Sequence, residues 1–202
     1  MFVLTVDQVD SRGLGDRVGP LLPELAHRWG EALALGPDRT AGDEFQLLTR
    51  DAGAALGLVL ELTRRDDWSV GLGVGGVDEP LPATTREAAG EAFVAARDAV
   101  DRAKRAAHRF ALSAATAAGP LDGADVEAFA DLLLEVRSRR SPEGWAVADR
   151  LLPGTTQAAV AQELGITAQA VSLRAKAAGI RLEERATPAL VRALRALDGG
   201  RP

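Results

Sequence analysis

The chain has 202 residues, 47% of them hydrophobic and 26% charged, which excludes a disordered segment and suits one large domain or two small ones. No apolar run approaches the roughly 20 residues that span a bilayer. The start, residues 1–7, lacks the basic flank of a secretory leader, and the absence of cysteine excludes disulfide and thiolate chemistry, so the expected location is cytoplasmic. The net charge of −5 is unevenly shared: residues 1–140 carry 16 Lys and Arg against 23 Asp and Glu, and residues 141–202 carry 8 against 6. A surface for phosphate therefore belongs to the C-terminal part.

Residues 2–7 form a short apolar run of strand type. Residues 17–31 follow a helical spacing through Leu21, Leu22, Leu25 and Trp29, with Pro23 in the first turn or at a kink. Two strand-like runs, 32–36 and 44–49, enclose the turn-rich stretch 37–42 and predict a hairpin. Asp51 is placed to cap a helix over 52–64 that turns Leu56, Val59, Leu60 and Thr63 inward. Residues 68–77 predict a strand whose glycines at 71, 73, 75 and 76 leave one face bare, as the close approach of a helix or ligand requires. A long helix over 86–108 buries Ala92, Phe93, Ala96, Val100 and Ala103, and 109–112 is a last edge strand. The order β-α-β-β-α-β-α-β predicts an α+β unit of ferredoxin-like, split βαβ type: an antiparallel sheet with helices on one face.

Small residues and the turn formers Gly119-Pro120 and Asp122-Gly123 then interrupt the periodic pattern. The expected organisation is an α+β domain over 1–115, a linker over 116–125 and an all-α domain over 126–202. Helices are predicted over 126–139, over 142–152 with Ser141 as cap and proline at the first helical position, and over 188–197. Phe129, Leu132, Leu133 and Val136 give the first of these an apolar stripe, which is a candidate contact for a second copy or for the monomer's own core.

Between them lies Gln157-Ala-Ala-Val-Ala-Gln-Glu-Leu-Gly165-Ile-Thr167-Ala-Gln-Ala-Val171-Ser-Leu-Arg-Ala-Lys176. Ala161 is small enough for two helices to touch, Gly165 permits the positive φ of a tight turn, Ile166 plugs the interior and Thr167 caps the second helix. On a helical wheel Ala168, Val171, Ala175 and Ala178 cluster together. Gln169, Leu173 and Lys176 face the other way with Ser172 on the flank, the set that a reading helix offers to a major groove. Arg174 stands where an aliphatic residue usually closes the interior, and its stem can run along the edge to reach phosphate. With Arg139-Arg140 and Leu151–Thr156 upstream, the segment resembles the helix-turn-helix of sigma-factor region four. That resemblance implies double-stranded DNA as a partner, with Thr167, Gln169, Ser172, Leu173, Arg174 and Lys176 at the contact. Since one such unit reads half a site, a homodimer is expected.

The N-terminal part carries acids at Asp7 and Asp10 and at Asp43-Glu44, within Arg39-Thr40-Ala41-Gly42-Asp43-Glu44-Phe45. A split βαβ sheet would bring Asp7, Asp43 and Glu44 to one edge, where such carboxylates can hold Mg²⁺; a solvated hairpin tip is the plainer alternative. The Gly42–Phe45 string, the acid on the first strand and Ala99–Lys104 resemble a diguanylate cyclase (GGDEF) domain. Asp7-x-x-x-Ser11-Arg12, Gly42–Gln46 and Gly90-x-Ala92-Phe93-x-x-Ala96-Arg97 resemble the SatD family more closely, over nearly the whole chain. The resemblance implies metal at Asp7 and Glu44 with Asp43 in support, and close approach of phosphate at Gly42. Arg12 and Arg97 are further candidates for a phosphate or nucleotide ligand at the same edge, with pairing to surface acids as the equal alternative. Residue 41 is alanine, and the guanine-gripping Asn and Asp of cyclases are missing after Asp10. The expectation is therefore a DNA-binding regulator with a degenerate nucleotide- or metal-binding sensor domain. A metal-dependent nucleotidyl cyclase or transferase is the alternative.

Overall fold

The computed structural model describes residues 1–115 and 121–199, apart from the side chains of Arg12 and Leu14. It is an α+β structure built on a five-stranded mixed sheet in the order β2-β3-β1-β4-β5. The strands are β1 (Phe2–Gln8), β2 (Leu33–Ala41), β3 (Glu44–Thr49), β4 (Trp68–Val74) and β5 (Phe110–Ala114). The helices are α1 (Ser11–Leu14), α2 (Val18–Trp29), α3 (Ala52–Leu62), α4 (Glu91–Ala103), α5 (Gly123–Ser138), α6 (Pro142–Ala148), α7 (Gln157–Leu164), α8 (Ala168–Ala177) and α9 (Ile180–Leu197). No described helix is long and apolar enough to cross a membrane.

Strand alternation divides the sheet into two faces. Phe2, Leu4 and Val6 of β1, Phe45 and Leu47 of β3, and Val70, Leu72 and Val74 of β4 point to one core, with α2 and α3 packed over them. Val3 of β1 and Leu48 of β3 point to the opposite face and meet Ala92, Phe93 and Ala96 of α4. On that face β4 offers Ser69, Gly71 and Gly73, and a Cβ at either glycine would collide with the backbone of α4 at Ala92, Ala96 or Val100. A helix, then, is what the bare glycine face admits.

These features correct the sequence expectation of an antiparallel sheet with helices on one face. β1 pairs antiparallel with β3 and β4, but β5 runs parallel to β4, joined by the crossover through α4 on the second face. The helix expected over 86–108 is also shorter. Gly90, at φ 133°, separates a 3₁₀ turn at Thr85–Glu87 from α4, and a side chain at residue 90 would strike the backbone of Gly76 and Val77. The β2–β3 hairpin turns on Gly42 and Asp43 alone, because Ala41 already pairs with Glu44.

The expected linker over 116–125 falls partly outside the described residues. Within the rest, Asp122 caps α5 in a reciprocal capping box with Asp125. Two C-terminal helices join the core of the sheet rather than standing apart. Val126, Ala130, Leu133 and Leu134 of α5 and Leu190, Leu194 and Leu197 of α9 belong to the same buried cluster as β1 and α3. Helix α3, buried along almost its whole length, packs against both strands and α9. A separate small core unites α6, α7, α8 and the start of α9 through Val147, Val160, Ala161, Val171, Ala175, Ala178 and Ile180. Helix α9 begins at Ile180, not at Pro188 as the sequence suggested. Its first residue is anchored in the small core and its last turns in the large one, and the proline is carried inside the helix.

Candidate nucleic-acid interface and acidic edge

Helices α7 and α8 are set by local chemistry. Thr156 caps α7 by accepting from the Ala159 N–H at 3.2 Å, and Thr167 caps α8 by accepting from the Ala170 N–H at 3.1 Å. Gly165 sits at φ 63° at the end of α7, and the Ile166 N–H returns to the Ala161 carbonyl at 3.0 Å. That pair closes the helix in the manner of a Schellman turn and redirects the chain within three residues. Val160, Ala161, Val171 and Ala175 face inward, and Ile166 packs against them.

Gln169, Ser172, Leu173 and Lys176 are all exposed along α8, Leu173 by 63%. Thr167 is exposed beside its cap, and Arg174 is half-buried. Ala168, expected on the inner face, is exposed instead. It occupies the first helical position, where the turn carries the chain away from the small core. Beyond α8, Arg181 and Arg185 of α9 are exposed, as is Glu184 between them.

The acidic residues of the sheet do meet at one edge. Asp7 stands directly opposite Glu44 on β3 and Ser69 on β4, on the face that α4 covers. Glu44 is 4% exposed. Arg97 of α4 grips it through both terminal nitrogens, Nη2 donating to Oε1 at 2.7 Å, and the Thr40 hydroxyl donates to the same oxygen at 2.6 Å. Asp43 accepts from the Ser11 hydroxyl at 2.5 Å, and its carbonyl holds the Gln8 N–H at 3.0 Å.

Asp7 lies 3.1 Å from Lys104 Nζ, which is also 3.5 Å from Asp101. Burial pushes the Asp7 carboxyl above its usual range, although Lys104 opposes the shift. Burial likewise works against the Lys104 charge, but Asp7 and Asp101 outweigh it and hold the ammonium above its ordinary value. The two partners thus point in opposite directions on the worth of the pair. Asp7 decides, because its side chain is 19% exposed against 38% for Lys104, so it bears the larger desolvation cost.

The edge therefore brings Asp7, Asp43 and Glu44 together, with each already engaged by a partner from this chain. Among the described residues no three His, Cys, Asp or Glu side chains form a group able to hold a metal ion. As arranged, the acids do not fit Mg²⁺. Gly42 lies at the hairpin tip at φ 50° with open space around it, Arg97 is committed to Glu44, and the side chain of Arg12 lies outside the described residues.

A second constellation went unnoticed in the sequence. The Arg64 guanidinium stacks 3.9 Å from the centroid of Trp145 on α6, with those of Arg140 and Arg137 at 4.7 and 4.9 Å. The side chain of Arg140 is only 2% exposed, and it shares Glu183 with Arg137. The Arg139-Arg140 pair was the only local sign of it. The partners at 64, 145 and 183 are too far apart in the chain for any periodicity to connect them.

No family model, curated protein or solved structure matched the chain in comparison.

Proposed function

We propose that the chain is a cytoplasmic DNA-binding regulator of transcription, with a helix-turn-helix at α7–α8 and a cyclase-like sensor domain around the sheet. The observation that carries this is the α7–Gly165–α8 turn. Its inward positions are small and buried, and its outward positions are a run of groups suited to a groove: Gln169, Ser172, Leu173 and Lys176. A glutamine can pair with adenine, a leucine can touch a thymine methyl, and a lysine can meet phosphate or guanine. The order β2-β3-β1-β4, with α2 and α3 in the connections, is consistent with a ferredoxin-like split βαβ unit to which α4 and β5 are added. It is also in keeping with the GGDEF and SatD resemblances. The pairing of Glu44 with Arg97 and of Asp7 with Lys104 supports an acidic edge that no longer turns over a nucleotide.

Two copies act together, since a single reading helix spans half a site. Between α5 and α9 an apolar groove is lined by Phe129, Leu132, Val136 and Leu182, and three of these are large side chains that are 48 to 67% exposed. The occupant in this account is the same face of a second copy, the self-complementary arrangement that a two-fold dimer requires. Mobility-shift assays with fragments of the source genome test the DNA reading. Retention of a subset of fragments by the wild type, lost in a Gln169→Ala, Lys176→Ala double variant of unchanged stability, is the expected result. Equal retention by both would overturn it.

A further inference from the structure

Where the sheet meets α5 and α6, a cleft of about 460 Å³ opens beside the stacked arginines. Arg64, Arg109, Arg137 and Arg140 all line it, with Trp145 as its aromatic wall. The volume falls within the range of small-molecule sites, roughly 300–1,000 Å³.

The charges around this cleft do not balance. Asp149 takes Arg64 in a bidentate pair at 2.6 and 2.8 Å, and Glu183 divides itself between Arg137 and Arg140. One further donor of each, Arg137 Nη2 and Arg140 Nε, goes to the neutral carbonyls of Leu60 and Ala178, at 2.9 and 2.7 Å. Arg109 has no ion-pair partner among the described residues. Asp66 is the acid that lines the cleft itself, and His108 is drawn to Glu135 at 3.3 Å. Four permanent cations thus line the cleft against one lining carboxylate, Asp66, while Asp149, Glu183 and Glu135 meet these groups from outside the lining. Burial, together with the charges of Arg140 and Arg64, holds the Arg137 guanidinium below its usual range, while Glu183 pulls the other way. Arg109 and Asp66 also adopt left-handed backbone, at φ 50° and 55°, although neither is glycine. Both aim at this one cleft.

We propose that the cleft is a binding site for a small phosphate-bearing anion of nucleotide size, held by Arg109 and by the guanidinium nitrogens of Arg64 and Arg137 that lie outside their pairs with Asp149, Glu183 and Leu60. Guanidinium groups held over the Trp145 ring are pre-organised donors for phosphate oxygens. An added dianion offsets most of the positive charge that lines the cleft. Arg64 and Arg109 come from the sheet unit, and Trp145 stands on α6, which Val147 anchors in the small core. The ligand therefore ties the two together and acts as the input of the regulator, an assignment that rests on the DNA reading only for its consequence, not for binding.

The test is calorimetric titration of the full chain, without DNA or metal, using pyrophosphate and each of the four ribonucleoside triphosphates. Arg109→Asn keeps a residue tolerant of left-handed backbone, and Arg64→Gln changes an exposed side chain, so one folded variant is available if the other fails. Saturable binding that weakens at least tenfold in either variant, and is unchanged in Arg97→Gln at the acidic edge, is expected. Pyrophosphate binding as tightly as the triphosphates would show that phosphate alone is recognised; tighter binding of one triphosphate would show that the base contributes. No binding of any probe, or binding lost in Arg97→Gln and kept in both junction variants, overturns the site. Because no DNA is present, its failure and the failure of the helix-turn-helix reading are told apart.

Discussion

Gly71 and Gly73 have no room for a side chain, since α4 lies directly against them. Gly71→Ala and Gly73→Ala are each expected to cost about 2–3 kcal/mol, read as a fall in the denaturation midpoint, because the obstacle is helix backbone and cannot rotate away. Alternating glycine was legible in the sequence as a demand for close approach. The identity of the approaching element was not, because periodicity reports a face and not what covers it. Asp7 behaves similarly. Its position at the end of a strand could be read, but its partner Lys104 lies far along the chain. Burial raises the Asp7 carboxyl above the ordinary 3.8, so the folded state favours the protonated form. That contribution is complete below the ordinary value and is lost as pH rises through the raised one. Asp7→Asn is thus expected to match or exceed the wild type in melting temperature at pH 7, with the advantage vanishing below pH 4. A variant less stable at pH 7 would show that the Lys104 pair outweighs burial.

At the scale of elements, the helix termini were the most readable features. Asp51, Ser141 and Thr167 all cap the helices that their positions announced, each accepting from a backbone N–H in the first turn. Such signals are local, and a few residues suffice to produce them. Thr167→Ala is expected to destabilise by about 1 kcal/mol, since the Ala170 N–H loses its acceptor. Its effect on DNA affinity should follow from the fraying of α8. Gln169→Ala, by contrast, leaves every buried contact in place; it is expected to cost about 1–3 kcal/mol of DNA binding and nothing in melting temperature. Ala168 and the start of α9 were misjudged because a wheel assumes that a helix is covered evenly along its length. The small core ends short of Ala168, and it extends beyond α8 to capture Ile180.

Across the whole molecule, composition marked a break near residues 111–125, whereas the packing runs across it. Leu190, Leu194 and Leu197 of α9 share the core of β1, β3 and α3, more than a hundred residues away in the chain for most of their neighbours. Sequence alone predicted only a closing helix over 188–197, with nothing to say what it packs against. Leu194→Ala is expected to cost about 2–5 kcal/mol and to lower the unfolding of sheet and C-terminal helices together in a single calorimetric transition. Two separated transitions would mean that the halves fold independently. The proposed anion cleft is lined by Trp68 and Leu134 of that shared core and by Trp145 of α6.

The DNA claim is tested most directly by titrating the full chain into a genomic fragment that it retains and following fluorescence anisotropy. The account predicts saturable binding in which Gln169→Ala with Lys176→Ala loses at least tenfold in affinity at unchanged melting temperature. Equal affinity of wild type and double variant, across fragments and at low salt, would contradict it.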